Sequence, residues 1–473
     1  MAQKNDTPAL ILALLVTLGL LGVGGWLLAG QFGLRGGGPS TGGIGQGILG
    51  GGTSDPQPTG PVTLSRGSVS LLPNPSPAKQ AGLAAYGQGN YPEAAQQFGV
   101  ALQAQRNDPE ALIYQQNALA QAGQTLALGA ALPVATDENA ALELMRGIAQ
   151  AQQEINQAGG INGSKLVLVL ADDRNNPTSA QAVAQAFAQD SSILGVIGHY
   201  ASDISLDTLQ TYEAAKLPTI SPVSTSIRLS NASSYFFRTV PSDYIAARAL
   251  AEHSLSKLQR QRAVVYFNSQ SAYSQSLKGE FATAFSLGGG QVLSEVDLSQ
   301  SSFSPANSLA SAEQQGADVI VLLPNSGTLN KALQVVTLNQ KKLPILAGDD
   351  VYSPTSLEVG GANGQGMTVA IPWHIDASPN ASFPQASRNL WYATVNWRTA
   401  LSYDAVQAIA AALAIGTPSR EGIQQAFKSP NFQANGASGT IRFLPSGDRN
   451  ASIQLVTVEP GNGPGGFSFV PLP

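Results

Sequence analysis

The 473-residue chain is longer than one ordinary domain and carries a formal net charge of −5, with only 12% charged residues. This acidic balance gives no basic footprint, which argues against nucleic acid as a partner. The absence of cysteine excludes disulfides, thiolate metal sites, a cysteine nucleophile and a cysteine-linked lipid anchor.

The chain begins with an apolar run over residues 8–30 that only Thr17 interrupts. At ~1.5 Å per residue, a helix of this length spans the ~30 Å hydrocarbon core of a bilayer. A cleaved signal peptide would have a shorter apolar region, a basic start and an A-x-A site. Here Lys4 alone precedes the run, and Asp6 opposes it. We therefore expect an uncleaved transmembrane anchor, with the main domain in the periplasm or otherwise outside the cytoplasm.

Residues 31–78 are rich in glycine, proline, serine and threonine and show no hydrophobic periodicity. Such a composition predicts a disordered linker. The linker contains a literal G-x-G-x-x-G at residues 45–50. Since no strand precedes it and no amphipathic helix follows, the context of a dinucleotide site is missing, and we expect no cofactor there.

Residues 79–123 change to a helical pattern and resemble one tetratricopeptide unit. The resemblance depends on the spacing of small and aromatic residues: Gly82, Gly89, Tyr91, Ala94, Phe98 and Ala101. A further helix is expected around residues 109–121. One repeat cannot bury its own apolar face, so the segment must pack on the next domain or on a partner. Two interpretations stay open here, a spacer hairpin and a docking module.

From Leu126 onward, apolar strand patterns alternate with amphipathic helix patterns. One set of units runs to about residue 242, and a second set begins near Asp243. This alternation predicts parallel sheets with right-handed crossovers. Since two sets exceed one sheet, we expect an α/β fold of two lobes with a cleft between them.

The stretch from Gly195 to Asp243 contains two short strands that both end in small hydroxyl residues. The strand ending at Ile197 is followed by a turn that reaches Ser202, and the next strand ends in Ser221 to Thr225. In open α/β sheets, ligands bind beyond the carboxyl ends of the strands. The sequence therefore predicts a site for a small polar ligand at these tips.

Residues 124–473 resemble the type I periplasmic binding proteins of the leucine/isoleucine/valine-binding family. The motifs that carry this resemblance follow one another along the chain: Glu154-Ile155-Asn156, Gly159 to Gly163, Asp172-Asp173 with Asn176-Pro177, Val196 to His199, Ile220-Ser221-Pro222 with Thr225, and Phe237-Arg238-Thr239. The resemblance implies two lobes that close on a ligand about a hinge. Lobe 1 would comprise about 126–242 and 372–442, and lobe 2 about 243–371 and 443–473.

The same resemblance implies where the ligand sits. Lobe 1 would hold an α-carboxylate through Ser202 and, at the second strand tip, through Ser224 and Thr225; hydroxyls and backbone N–H groups suit that task. Lobe 2 would offer an acid to the α-ammonium, with Asp350 aligning best and Asp349 beside it. The remaining expected pocket residues are Tyr200, Tyr273 and Ser326. The alternative for the serines and the aspartate is helix or turn capping.

Two departures from the family pattern concern the pocket. Ala140 and Ser326 stand where many members carry aromatic side chains. The pocket is therefore expected to be wider or more polar than one shaped for leucine. This argues against a branched-chain amino acid as the ligand more than it argues against amino acids in general.

Catalysis is not expected. The three histidines, His199, His253 and His374, are dispersed, without H-E-x-x-H spacing, and Gly436-Ala437-Ser438-Gly439 lacks the G-x-S-x-G pattern of a nucleophile elbow. We expect no catalytic residues, no metal and no cofactor. The favoured function is a membrane-anchored receptor that captures an amino acid or a similar small polar ligand for an ABC-type permease. The alternative is a regulatory or sensor protein that uses the same fold and its helical segment to control a partner.

Overall fold

The computed structural model describes residues 62–472. Within that range no helix is long and apolar enough to cross a membrane. The predicted anchor at 8–30 and the predicted linker up to residue 61 lie outside the described residues.

Three helices precede the alternating strands and helices of the first lobe: α1 (Pro77–Gly87), α2 (Tyr91–Ala104) and α3 (Pro109–Ala120). A side chain caps the N-terminus of each, from Ser76, Asn90 and Asp108, and each carries proline in its first turn. Gly82 lies against the ring of Phe98, so a Cβ there would come within 2.8 Å of that ring. This close approach explains the small and aromatic spacing in the sequence.

The first sheet has six strands in the order β1-β3-β2-β4-β5-β6. All pairings are parallel except that of β1 with β3. The strands are β1 (Leu64–Ser65), β2 (Thr125–Leu132), β3 (Lys165–Asp172), β4 (Ile193–Ile197), β5 (Thr219–Ser221) and β6 (Phe236–Arg238). The helices between them are α4 (Glu138–Gln157), α5 (Pro177–Gln189) and α6 (Ser202–Ala214).

The prediction of a disordered linker is wrong for its last part, residues 62–76. There β1 adds an antiparallel edge to β3, with Leu64 opposite Ala171. The chain then crosses the buried Glu110, whose carboxylate accepts hydrogen bonds from Leu71 N and Ser70 Oγ, each at 2.6 Å. Backbone hydrogen bonding to one buried acid orders this stretch, although its own side chains show no periodicity.

Helix α3 is attached directly to the first sheet through Asn117. Its side-chain amide donates to Leu168 O at 2.7 Å and accepts from Leu168 N at 2.9 Å, as a neighbouring strand would. Gln152 of α4 donates to the same Asn117 oxygen at 2.8 Å. The helical segment is therefore an integral part of the first lobe in the described structure, and its tetratricopeptide character stays a prediction.

The second lobe contains five parallel strands, β7 (Arg262–Phe267), β8 (Gln291–Asp297), β9 (Val319–Leu323), β10 (Ile345–Ala347) and β11 (Thr368–Ile371). The helices of this part are α7 (Asp243–Glu252), α8 (Ala272–Leu287), α9 (Pro305–Gln315), α10 (Leu329–Asn339) and α11 (Pro354–Gly364). The buried strand residues form the core, for example all five of β9. The prediction of an α/β fold in two lobes is thus confirmed, although each sheet also has antiparallel edge strands.

The chain then returns to the first lobe through α12 (Ser382–Trp391), α13 (Trp397–Ala414), α14 (Arg420–Lys428) and the hairpin β12 (Ala434–Gly436) and β13 (Gly439–Ile441). Helix α13 crosses α4 at a very short distance. A Cβ at Gly147 would overlap the Thr399 carbonyl oxygen, so only glycine fits. Ser402 Oγ donates to Leu144 O at 2.9 Å across the same crossing.

Two final strands, β14 (Gln454–Pro460) and β15 (Phe467–Pro471), complete the second sheet in the order β15-β14-β11-β10-β9-β7-β8. They pair antiparallel, β14 with β11 and β15 with β14. The chain therefore passes between the lobes three times, after β6, after β11 and after β13. Three such connections allow hinge motion while holding the lobes in register.

Candidate functional site

The carboxyl ends of the parallel strands in the two lobes face each other across a cavity of about 150 Å³. Its volume suits a small metabolite rather than a large ligand. The residues that line it come from both lobes: Asn175, Tyr200, Ala201, Ser202, Val223 and Trp397 from the first, and Ser271, Tyr273, Asn325, Ser326, Gly327, Asp349 and Asp350 from the second.

The loop after β4 is fixed by the fully buried His199. Its Nδ1 lies 2.5 Å from Asp173 Oδ2 and its Nε2 lies 2.9 Å from Tyr212 Oη. Both ring nitrogens are therefore used inside the first lobe. This arrangement holds the turn after β4 and positions Tyr200 at the cavity.

The loop after β5 is bonded to the loop after β4 by serine hydroxyls. Ser224 Oγ contacts Tyr200 O at 3.0 Å and Ser205 Oγ at 2.8 Å, while its carbonyl accepts from Arg238 at 3.2 Å. Ser224 is not among the residues that line the cavity, and its hydroxyl and carbonyl hold the two loops together. A direct ligand contact of Ser224 stays a prediction.

Ser202 lies at the cavity, as the first residue of α6. It is 2% exposed, and its Oγ accepts a hydrogen bond from Ser226 N at 3.2 Å. Among the described residues, no side chain caps this helix, whose N-cap is Ala201. The first N–H groups of a helix carry partial positive charge and bind anions. The tip of α6 thus has the donors that a carboxylate requires.

Thr225 is buried, but it lies beside the cavity rather than on its wall. Its carbonyl accepts from Asp243 N at 2.9 Å. Thr225 Oγ1 and Asp243 Oδ2 are both buried without a hydrogen-bond partner within residues 62–472. Burial raises the pKa of the Asp243 carboxyl to about 7, against the lowering effect of the Ser276 hydroxyl. A direct ligand contact of Thr225 stays a prediction.

The second lobe presents Tyr273 and Asp349 as a bonded pair. Tyr273 Oη donates to Asp349 Oδ1 at 2.6 Å. The ring passes so close to Gly348 that a Cβ there would lie 2.6 Å from Tyr273 Oη. Burial and the neighbouring Asp350 carboxylate raise the pKa of Asp349 to about 6, whereas Tyr273 and Arg398 act to lower it. A second carboxylate oxygen remains to accept from a ligand donor.

Asp350 is charge-balanced within the protein by Arg398 of α13. The guanidinium contacts Asp350 Oδ1 at 3.2 Å and Glu143 Oε2 at 3.5 Å. Burial acts to lower the pKa of Arg398, but nearby Tyr200 and the carboxylates outweigh it and raise that pKa. Burial raises the pKa of Asp350 in turn, against the lowering effect of Arg398. The two lobes thus share a buried ion pair.

Further hydrogen bonds join the lobes around the cavity. Tyr200 Oη lies 3.2 Å from Ser326 Oγ. Both carboxylate oxygens of Asp203 accept from Ala272 N, at 2.9 and 3.0 Å, and Ser276 Oγ accepts from Ile227 N at 3.0 Å. Asp203 thus places its charge at the N-terminus of α8 in the opposite lobe. These contacts describe a closed cleft.

Of the predicted ligand residues, the structure brings five to the cavity wall: Tyr200, Ser202, Tyr273, Ser326 and Asp350. Sequence reasoning missed Asn175, Trp397 and the balancing Arg398. Asn175 follows a recognised motif, so its position at a strand tip could have indicated it. Trp397 lies more than 200 residues along the chain from Asn175, and no local pattern connects them. Within residues 62–472, no cluster of His, Asp or Glu suited to a metal ion occurs.

The comparisons with known proteins agree with this architecture. A family model described as a periplasmic binding protein matches residues 125–463. Leu/Ile/Val-binding protein homolog 1 of Brucella abortus (strain 2308) is 28% identical over 311 residues, which make up 64% of this chain and 81% of the relative.

Two solved structures are also similar. An ABC transporter substrate-binding protein from Desulfitobacterium hafniense in complex with Leu is 25% identical, with 73% of this chain and 100% of that chain covered and a TM-score of 0.64. A leucine binding protein from Thermotoga maritima is 25% identical, with 73% and 98% covered and a TM-score of 0.65. These relatives and structures are all described as binding proteins. The family model covers well over half of the chain, and the chain therefore belongs to the periplasmic binding protein family.

Proposed function

We propose that this protein is an extracytoplasmic solute-binding receptor that closes on an α-amino acid between its lobes. The observation that carries the proposal is the pairing of opposite chemistries across one cavity. The uncapped N-terminus of α6 and Ser202 lie on one side, and the buried acids Asp349 and Asp350 lie on the other. A zwitterion of amino-acid size matches both sides at once.

The carboxylate of the ligand would bind at the tip of α6. Preorganised N–H groups and the Ser202 hydroxyl supply donors without a buried counter-charge. The ammonium group would bind on the second lobe. Since Arg398 already balances Asp350, we assign the ammonium contact chiefly to Asp349, with Tyr273 covering the ligand from the same lobe.

The transport setting is a further part of the proposal. The relatives include proteins described as ABC transporter substrate-binding proteins, so an ABC-type permease is the natural recipient of the ligand. The apolar run at 8–30 would hold the receptor at the cell membrane with its lobes outside the cytoplasm. Localisation and permease are inferences from these two features.

A regulatory protein that uses its helical segment to control a partner is the competing function. The packing of Asn117 on β3 argues for the receptor, since it gives α3 a structural role within the first lobe. The two functions differ in their need for a ligand, which makes them separable by experiment.

Thermal unfolding of the full-length protein with each of the twenty amino acids tests the proposal. A ligand at about a hundred times its Kd stabilises the folded state by about 2.7 kcal/mol, which raises Tm by a few degrees. We expect such a shift with at least one α-amino acid and its loss in Asp349→Asn. Asp376→Asn, an exposed carboxylate outside the cavity, is the control and should keep the shift. Unchanged Tm with every amino acid would refute the receptor function.

A further inference from the structure

Two buried polar atoms at the cavity wall lack partners. Trp397 is 1% exposed and lines the cavity, and its indole Nε1 has no hydrogen-bond acceptor anywhere in residues 62–472. Asn175 also lines the cavity, and its Oδ1 has no donor in the same part of the chain. Both residues belong to the first lobe, at the start of α13 and after β3.

Such atoms are uncommon in folded proteins, because a buried donor or acceptor without a partner loses its hydration and gains nothing in return. The other indole N–H groups illustrate the rule. Trp391 Nε1 donates to Gln150 at 3.3 Å, and Trp373 Nε1 donates to Ser378 at 3.1 Å. Among the tryptophans in residues 62–472, only Trp397 has an indole N–H without an acceptor. Each of these two cavity-lining residues therefore holds one polar group for which residues 62–472 supply no partner.

The rest of the wall is poor in aliphatic surface. Apart from aromatic rings, the described lining residues offer only Ala201 and Val223 to an aliphatic side chain. Hydroxyl, amide and carboxylate groups make up most of the remainder. A branched aliphatic side chain would leave Trp397 Nε1 and Asn175 Oδ1 without partners and would find little apolar surface in exchange.

We infer that the ligand is an amino acid with a hydroxyl or carboxamide side chain, selected by Trp397 and Asn175. Such a side chain contains both an acceptor for the indole N–H and a donor for the amide oxygen. The inference rests on the proposed function, since it assigns the ligand class of the same cavity. It differs from the leucine, isoleucine and valine named for the Brucella abortus relative.

Isothermal titration of the full-length protein with the twenty amino acids separates the possible outcomes. The tightest ligand should carry a polar side chain. In the near-isosteric pairs threonine and valine, and asparagine and leucine, the polar member should bind at least about tenfold more tightly. A tightest ligand with an aliphatic, aromatic or absent side chain would overturn the inference while leaving the receptor function intact. Binding of no amino acid would overturn both.

Two variants test the selecting residues. Trp397→Phe keeps an aromatic ring and removes the N–H, so affinity for the polar ligand should fall about tenfold while affinity for its apolar isostere stays constant. Trp391→Phe is the matched control, since its indole bonds Gln150 outside the cavity, and it should bind as the parent does. Equal affinities in Trp397→Phe and Trp391→Phe would refute the role of Trp397.

A variant of Asn175 gives an independent test, which remains informative if Trp397→Phe does not fold. Its φ of 46° lies in the left-handed region, so Asn175→Gly removes the amide without backbone strain. We expect the threonine-to-valine or asparagine-to-leucine preference to drop severalfold. An unchanged preference in this folded variant would show that Asn175 does not select the ligand.

Discussion

Replacement of Asp203 by asparagine tests whether contacts between the lobes control affinity. Asp203 does not line the cavity, yet both its carboxylate oxygens accept from Ala272 N at the start of α8, at 2.9 and 3.0 Å. Asparagine keeps one acceptor oxygen and removes the charge. A hydrogen bond to a charged group is worth roughly 1.5–3 kcal/mol and a neutral one roughly 0.5–1.5, so the loss is about 1 kcal/mol.

This energy belongs only to the closed form, since the two residues lie in different lobes. Removing it shifts the equilibrium toward the open form, and ligand affinity should fall about fivefold without any change in the cavity. Dissociation of the tightest amino acid, followed by stopped-flow fluorescence, should speed up by a similar factor. Asp207→Asn, an exposed acid one turn later on α6, is the control. Equal affinities in the two variants would refute the idea that this contact stabilises closure.

Three further predictions concern charge and packing. The ligand-induced Tm shift should shrink from about pH 8 to about pH 5, because Asp349, whose pKa is about 6, must be ionised to bind an ammonium group. In the free protein the raised pKa has the opposite effect on stability, since protonation relieves the burial penalty of this carboxylate as the pH falls. A ligand-induced shift that stays constant over this pH range would exclude Asp349 as the ammonium contact. Gly147→Ala should lower the free energy of unfolding by more than about 2 kcal/mol in chemical denaturation, because the new Cβ would overlap Thr399 O. The control Gly279→Ala, in open space on α8, should be neutral or slightly stabilising. Equal effects of the two variants would contradict the close crossing of α4 and α13. Asn117→Ala should lower the free energy of unfolding by about 2–4 kcal/mol in the same assay, because it leaves the backbone groups of Leu168 without their partners. The control Gln121→Ala, at an exposed position, should change it little. A small loss in Asn117→Ala would contradict the attachment of the helical segment to the first lobe.

The alternation of strands and helices was readable from the sequence because each buried parallel strand is a short apolar run bounded by turn residues. Strand tips could be predicted in the same way, and Ser202 lies at one of them. Tyr200 and Asp350 were expected only because of the resemblance to the binding-protein family. Order in residues 62–76 could not be read, because Glu110, some 40 positions further on, supplies it.

The positions of the other site residues could not be predicted for one physical reason. Ser224 has the same residue type as a ligand contact, but its hydroxyl is taken by Tyr200 O and Ser205 Oγ, which only the folded loops bring near. Arg398 and Trp397 reach the cavity because α13 returns to the first lobe after the whole second lobe. Arg398, for example, contacts Glu143, 255 positions earlier in the chain, and local periodicity does not predict such contacts.

A crystal structure of the protein with its tightest amino acid tests the central claim most directly. In that structure we expect a closed cleft, with the ligand carboxylate at the N–H groups of α6 beside Ser202. Its ammonium group should lie within hydrogen-bond distance of Asp349, under the ring of Tyr273. A ligand bound outside this cavity, or bound with its ammonium group at the tip of α6, would contradict the account.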